Sequence, residues 1–154
     1  MFYNYISLFS SLLIALFLLF HDWIDMYPFN DLETFNRHCS LRNKILMTII
    51  NSSFFILYTA ILILYWNSPI PFFAKLYIVI CNLLFLSGII FSWWLSYFFG
   101  WPISQVKELN EMYGKTHAFL PRIGNNPTPN TLHVIFHIVF IVNFIFSTLL
   151  ILSC

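Results

Sequence analysis

The sequence predicts an all-α integral membrane protein, a four-helix bundle with two polar loops on one side and a short amphipathic surface helix. Hydrophobic residues make up 60% of the 154 residues and charged residues only 8%, whereas soluble domains carry about 25% charged residues. The apolar residues form four runs, each of a length suited to crossing a hydrocarbon core of about 30 Å as a helix. We therefore interpret residues 1–154 as a single transmembrane domain.

The four predicted spans cover about residues 3–20, 45–66, 76–99 and 132–152. The first run has no preceding Lys or Arg and no small-residue cleavage site after it, so we expect a retained span and not a cleaved signal peptide. Spans two and three are joined by a short connection that contains Pro69 and Pro71, which predicts a tight antiparallel hairpin. In span two, three polar residues recur on one helical face, which should point into protein: Thr48, Ser52 and Thr59.

The third span carries small residues at every fourth position: Gly88, Ser92, Ser96 and Gly100. A ridge of small residues allows another helix backbone to approach closely, which is how membrane helices pack. We therefore predict a helix-packing seam, with a substrate groove as the alternative.

The polar loops contain two further helix signals. In the first loop, Asn30 followed by Glu33 has the spacing of a capping box and predicts a short surface helix. In the third loop, residues 104–113 have an amphipathic pattern, and Gly114 is a plausible stop. Prolines and a glycine then exclude regular structure until Asn130 or Thr131 caps span four.

The cationic residues predict the orientation. Six of the seven Lys and Arg residues lie in the first and third loops: Arg37, Arg42, Lys44, Lys107, Lys115 and Arg122. Short cytoplasmic loops hold the excess of Lys and Arg, so both loops should be cytoplasmic and both termini outside. We expect a bacterial inner membrane.

His133 and His137 are the most informative pair of residues for function. Their spacing of four places both rings on one helical face, and His137 lies about 1.5 turns inside the last span, where an unpartnered ionisable group is costly. The spacing suits a metal, but zinc takes three or four ligands, and no metal-site motif or cofactor signature accompanies the pair. Three interpretations stay open: a structural role, ligand binding or proton handling, and a metal or haem site.

We predict that the end of span one lies near these histidines and that both loops contribute to one site. The candidate ligand-binding residues are His21, Asp22, Asp25, His117, Arg122, Asn130, His133 and His137. A carboxylate beside a histidine would also make an acid and base pair. No nucleophile motif accompanies the pair, so no residue is assigned as catalytic.

Two blocks of sequence carry a resemblance. They are residues 21–31, which begin His-Asp-Trp-Ile, and residues 116–133, which begin Thr-His-Ala-Phe-Leu-Pro. They resemble small bacterial four-helix membrane proteins, and the likeness supplies no catalytic residue. The topology is also similar to that of the sterol-isomerase and sigma-2-receptor-like superfamily, but the acidic residues of that family have no counterpart within spans two to four.

Two function hypotheses follow. The first is a small binding or accessory protein that holds an amphiphilic small molecule or a partner's transmembrane helix within the lipid bilayer. The second is a membrane enzyme that acts on a lipid or quinone headgroup at the cytoplasmic face. A cavity under the polar loops, with His137 and a carboxylate converging on it, would favour the enzyme, whereas a closed bundle with an exposed seam would favour the binding protein. No basic run suggests nucleic acid, and the absence of a broken or charged span disfavours a transporter.

Overall fold

The computed structural model describes residues 2–153, and within them the chain forms six helices. These are α1 (Phe2–Phe20), α2 (Leu32–His38), α3 (Leu41–Leu64), α4 (Phe72–Phe99), α5 (Ile103–Tyr113) and α6 (Thr131–Ser153). Four of them, α1, α3, α4 and α6, are long and apolar enough to cross a membrane, which confirms the multi-pass prediction. Helix α3 begins four residues before the predicted start because Ser40 caps it and accepts the N–H of Asn43.

The four spans form an up-and-down bundle in which neighbours in sequence pack side by side. Helix α1 packs extensively against α3 and α6, whereas α4 touches α3 and α6 more sparingly. The tightest part of the core is aromatic and aliphatic, with Ile14, Phe55, Tyr58, Ile78 and Phe140 fully buried. Helix α4 is therefore the least closely packed of the four spans, and space remains between it and its neighbours.

A polar cluster in the middle of the bundle connects all four spans. Asn143 Oδ1 accepts from Ser10 Oγ at 3.0 Å, and Asn143 Nδ2 lies 3.4 Å from Tyr58 Oη and 3.5 Å from Asn82 Oδ1. Asn82 Nδ2 donates to Ser147 Oγ at 2.9 Å. Hydrogen bonds between helices hold membrane bundles together where lipid gives no hydrophobic drive. The inward polar face predicted for span two is also confirmed, since Ser52 and Thr59 are buried.

The predicted packing seam on α4 is wrong in its first half. Gly88 and Ser92 are exposed, and a Cβ added to Gly88 would meet nothing within 4 Å. Ser96 is buried against its own chain, where Oγ donates to the Trp101 carbonyl, and Gly100 ends the helix in the left-handed region at φ 64°. The small residues at 88 and 92 therefore border open space and not a helix backbone.

A π-helical turn, Ile90–Trp94, interrupts α4 directly after Ile89. Such turns are rare, add one residue to the helical repeat, and occur frequently at functional sites. Here the turn brings Trp93 into a buried position facing α5 and α6. No feature of the sequence pattern predicted it.

The first and third loops form a cap over one end of the bundle. The N–H of His117 donates to the Pro28 carbonyl at 2.7 Å, and Asn130 Nδ2 donates to the Phe29 carbonyl at 3.1 Å. Helix α2 confirms the predicted surface helix, but its cap is Asp31, which accepts the N–H of Thr34. The capping box predicted at Asn30 does not form, because Asn30 is buried and donates to the carbonyl of His21.

Candidate functional site

A cavity of about 690 Å³ lies beneath the cap, between the N-terminal half of α3 and the C-terminal half of α4. Helix α5 covers it through Gln105, Glu108 and Leu109, and its other walls come from the end of α1 and the start of α6. Toward the middle of the bundle the lining becomes apolar, with Phe54, Leu84 and Phe85. The cavity thus has a polar end at the cap and an apolar end within the membrane-spanning region.

Three imidazole rings form a row along the polar end of the cavity. The ring centroids of His21 and His133 are 5.9 Å apart, and those of His133 and His137 are 6.4 Å apart. His133 also stacks at a tilt on Trp93, with 4.4 Å between centroids, and meets the edge of Tyr113 at 5.1 Å. All five residues line the cavity. The end of α1 therefore does lie near His133, as the sequence predicted.

Asn130 fixes the position and the tautomer of His133. Its Oδ1 accepts the backbone N–H of His133 at 2.9 Å, as an N-cap does, and lies 2.7 Å from His133 Nδ1. The oxygen of the Asn130 side chain is identified as the acceptor in two ways: a backbone N–H can only donate to it, and the Asn130 Nδ2 group already donates to the Phe29 carbonyl. His133 Nδ1 must therefore carry a proton, and the neutral ring presents an Nε2 lone pair.

His137 is 4% exposed and makes no side-chain hydrogen bond with any other residue of the described range, 2–153. Its Nδ1 is fully enclosed without a partner, which leaves Nε2 as the nitrogen available to a ligand in the cavity that His137 lines. A buried polar group that lacks a partner costs free energy, so one in a native fold calls for a ligand or another explanation. Among the described residues, none supplies a carboxylate partner to His137.

Asp22 and His21 form a partly enclosed pair at the cap edge of the cavity. His21 Nε2 lies 3.1 Å from Asp22 Oδ1, and His21 Nδ1 lies 2.9 Å from the Phe17 carbonyl. Because both of these partners are oxygen acceptors, the pair must hold one proton between His21 Nε2 and Asp22. Burial lowers the pKa of His21 and raises the pKa of Asp22, and the attraction between the two groups opposes both shifts, with Lys44 also lowering the pKa of Asp22.

Separating the two members of this pair should reveal opposite pH dependences. In Asp22→Asn, we expect the melting temperature in detergent to fall as the pH drops below about 6.5, because the lowered pKa of His21 makes protonation unfavourable in the folded state. In His21→Gln, it should fall as the pH rises above about 4, because the raised pKa of Asp22 makes ionisation unfavourable. Parallel profiles in the two variants would contradict the pairing.

The charges around the cavity are unbalanced. Among the residues that line it, two are carboxylates, Asp22 and Glu108, and none is Lys or Arg. Lys44 lies outside the lining but close enough to lower the pKa of Asp22; it is buried, with Nζ bonded to Asn36 Oδ1 at 3.0 Å and placed 4.4 Å from the Trp23 ring centroid. A phosphate or carboxylate ligand would meet no fixed positive charge inside the cavity.

The structure brings together only part of the predicted site. The cavity is lined by four of the predicted residues: His21, Asp22, His133 and His137. Asn130 does not line it but forms a hydrogen bond with the His133 ring. Asp25, His117 and Arg122 are exposed and do not line it, because the cap directs them outward; His117 Nδ1 is bonded to Thr131 Oγ1 at 2.7 Å.

The lining residues that the sequence did not predict include four with polar or aromatic side chains near the cap: Trp93, Gln105, Glu108 and Tyr113. The last three lie on the predicted amphipathic helix, which was expected to lie along the membrane surface and covers the cavity instead. Only its periodicity could have suggested that it covers something.

Within residues 2–153, no group of three or more His, Cys, Asp or Glu side chains is arranged to hold a metal ion. Comparison with family models, with curated proteins and with solved structures found no match. The resemblance to small bacterial four-helix membrane proteins therefore stays a prediction. The function must be argued from the cavity.

Proposed function

We propose that this multi-pass membrane protein binds an amphiphilic small molecule, with its polar head at the histidine row and its apolar chain between α3 and α4. The observation that carries the proposal is the change of lining along one cavity. Its cap end offers imidazole nitrogens, carboxylates and aromatic rings, whereas its inner end is walled by Phe54, Leu84 and Phe85. An amphiphile lying along the membrane normal has the same order of polarity.

The size and position of the cavity support this proposal. Its volume of about 690 Å³ lies in the range of about 300–1,000 Å³ that is typical of small-molecule sites. Met47, Leu84 and Gly88 line it and are also exposed, which marks an opening between α3 and α4 at membrane depth. A lipid-soluble ligand would enter sideways from the bilayer.

Gly88→Leu is the sharpest mutational test. The substitution adds a side chain where a Cβ meets nothing within 4 Å, so the helix tolerates it while the cavity loses space. Excluding about four ligand methylene groups, each worth about 0.8 kcal/mol, predicts an affinity roughly a hundredfold lower. The measurement is lipid retention: the detergent-solubilised protein is incubated with a membrane lipid extract and re-isolated, and its bound lipid is quantified by mass spectrometry.

Ser87→Leu is the matched control. Ser87 is the preceding residue, is exposed, and does not line the cavity, so this variant should retain lipid as the wild type does. Equal retention by both variants, at equal melting temperature, would contradict the proposal. It would favour the alternative in which Gly88 and Ser92 receive a partner's transmembrane helix.

A second candidate function is acid-base chemistry on the bound headgroup. The observation that favours it is the single proton shared by His21 and Asp22 at the edge of a cavity that also holds His137. The same lipid analysis tests it. Turnover would give a chemically altered lipid with the wild type and an unaltered one with Asp22→Asn, whereas recovery of the same lipid from both would leave binding as the function.

We also propose that the cap faces the cytoplasm of a bacterial inner membrane, from the concentration of Lys and Arg in the two loops. Cys39 lies at the end of α2 in this cap and is a free thiol. In a Cys81→Ser, Cys154→Ser background, a membrane-impermeant maleimide should leave Cys39 unlabelled in intact cells and label it after permeabilisation. The assay needs long exposure because burial raises the pKa of this thiol. Labelling of Cys39 in intact cells would show that the cap faces outward and would contradict the proposed orientation.

A further inference from the structure

The two histidines that line the cavity from α6 differ in their hydrogen-bonding roles. His133 holds its proton on Nδ1, bonded to Asn130 Oδ1, and its Nε2 has no partner within residues 2–153. Because His133 lines the cavity, this Nε2 lone pair is available to accept a hydrogen bond from a ligand there.

His137 is expected to hold the opposite tautomer. Its Nδ1 is enclosed with no acceptor nearby, and an unpaired N–H there would be more costly than an unpaired lone pair. The proton therefore belongs on Nε2, the nitrogen available to a ligand in the cavity. One turn of α6 thus presents an acceptor at His133 and a donor at His137.

The geometry points to a ligand whose head is an uncharged hydroxyl group, which donates to His133 Nε2 and accepts from His137 Nε2. This inference rests on the proposed function and specifies its ligand class. Two hydrogen bonds of about 2.8 Å that meet at one oxygen fit between rings whose centroids are 6.4 Å apart. A single hydroxyl satisfies both nitrogens at once, because it donates one hydrogen bond and accepts another.

The charges of the cavity exclude the commoner anionic headgroups. A phosphate would find no Lys or Arg in the lining, and apart from the His21–Asp22 pair, whose charges cancel, the fixed charge it would meet is the Glu108 carboxylate. The uncharged hydroxyl can come from a free long-chain alcohol or from a diacylglycerol. The chemistry recognised is the same in both.

Competition against tritiated hexadecanol tests the inference on the wild-type protein in detergent. Unlabelled hexadecanol should compete fully, whereas hexadecyl methyl ether, which cannot donate, should compete about tenfold less well, as loss of one hydrogen bond predicts. Hexadecyl phosphate should also be at least tenfold weaker. Competition by 1,2-dioleoylglycerol as strong as that by hexadecanol would assign the hydroxyl to a glycerolipid, and weaker competition would assign it to a free alcohol.

Two variants separate a hydrogen-bonding role of His137 from a packing role. His137→Gln keeps an N–H donor at a similar reach and should retain binding, whereas His137→Leu should lose about tenfold. Equal competition by the alcohol, the ether and the phosphate would overturn the hydroxyl assignment. If the three compounds compete equally but Gly88→Leu loses binding, amphiphile binding in the cavity would stand and only the hydroxyl assignment would fall. Hexadecanol retention that is absent, or that Gly88→Leu leaves unchanged, would overturn both.

Discussion

Replacing Asn143 with leucine is expected to lower the free energy of unfolding by about 2 kcal/mol. The side chain is fully buried and bonds Ser10 Oγ, Tyr58 Oη and Asn82 Oδ1 from three other spans. Leucine fills a similar volume, so the loss reports the broken interhelical hydrogen bonds and the partners left unpaired, each worth about 1 kcal/mol or less in membrane bundles. Titration with a denaturing detergent, followed by circular dichroism, measures it.

Thr148→Val is the control for this variant. Thr148 lies on the same helix but is exposed, and its hydroxyl bonds only the Phe144 carbonyl of its own helix. The change should stay within about 0.5 kcal/mol. Equal effects of the two substitutions would show that the central polar cluster does not hold the spans together. Helix α4 packs sparingly elsewhere, so the same cluster also holds α4 in its position as one wall of the cavity.

Asn130→Ala is expected to lower the free energy of unfolding by about 3 kcal/mol, more than Asn143→Leu. The change removes the N-cap of α6, worth about 1 kcal/mol, leaves the buried His133 Nδ1 unpaired, and removes the partly buried hydrogen bond to the Phe29 carbonyl. It also frees His133 to move its proton to Nε2. We therefore expect loss of thermal stability together with loss of the preference for hexadecanol over its methyl ether.

Arg122→Ala is the matched control, because Arg122 lies in the same loop but is exposed and outside the cavity lining. It should change neither the melting temperature nor the hexadecanol preference. An Asn130→Ala protein that keeps the preference would contradict the assigned tautomer of His133. A protein that keeps its melting temperature would contradict the capping role.

The sequence was most informative about the spans. Long uninterrupted apolar runs have one stable form in lipid, because only a helix satisfies its own backbone there, so α1, α3, α4 and α6 could be located within a few residues. The error at Gly88 and Ser92 has a physical reason. Small residues at every fourth position permit close packing but do not require it, and whether a neighbour arrives depends on how the other helices are held.

The site was partly predictable for a different reason. His133 and His137 share a helical face by spacing alone, and the depth of His137 indicated that it needed a partner. The contributions of Trp93 and Glu108 depend on the π-helical turn and on where α5 lies, and both are set by tertiary packing. The exposed loop residues Asp25, His117 and Arg122 were included because loop sequence does not show which side of the cap a side chain faces.

The central claim is that an amphiphile occupies the cavity with its chain between α3 and α4, and photo-crosslinking tests it most directly. A hexadecanol analogue with a diazirine at mid-chain is bound to the wild-type protein, irradiated, and mapped by peptide mass spectrometry. The account predicts adducts on the inner walls, at Phe54 and Phe85. Adducts spread instead over the outward-facing residues of the same helices, Ile49, Ile56 and Phe91, would contradict it.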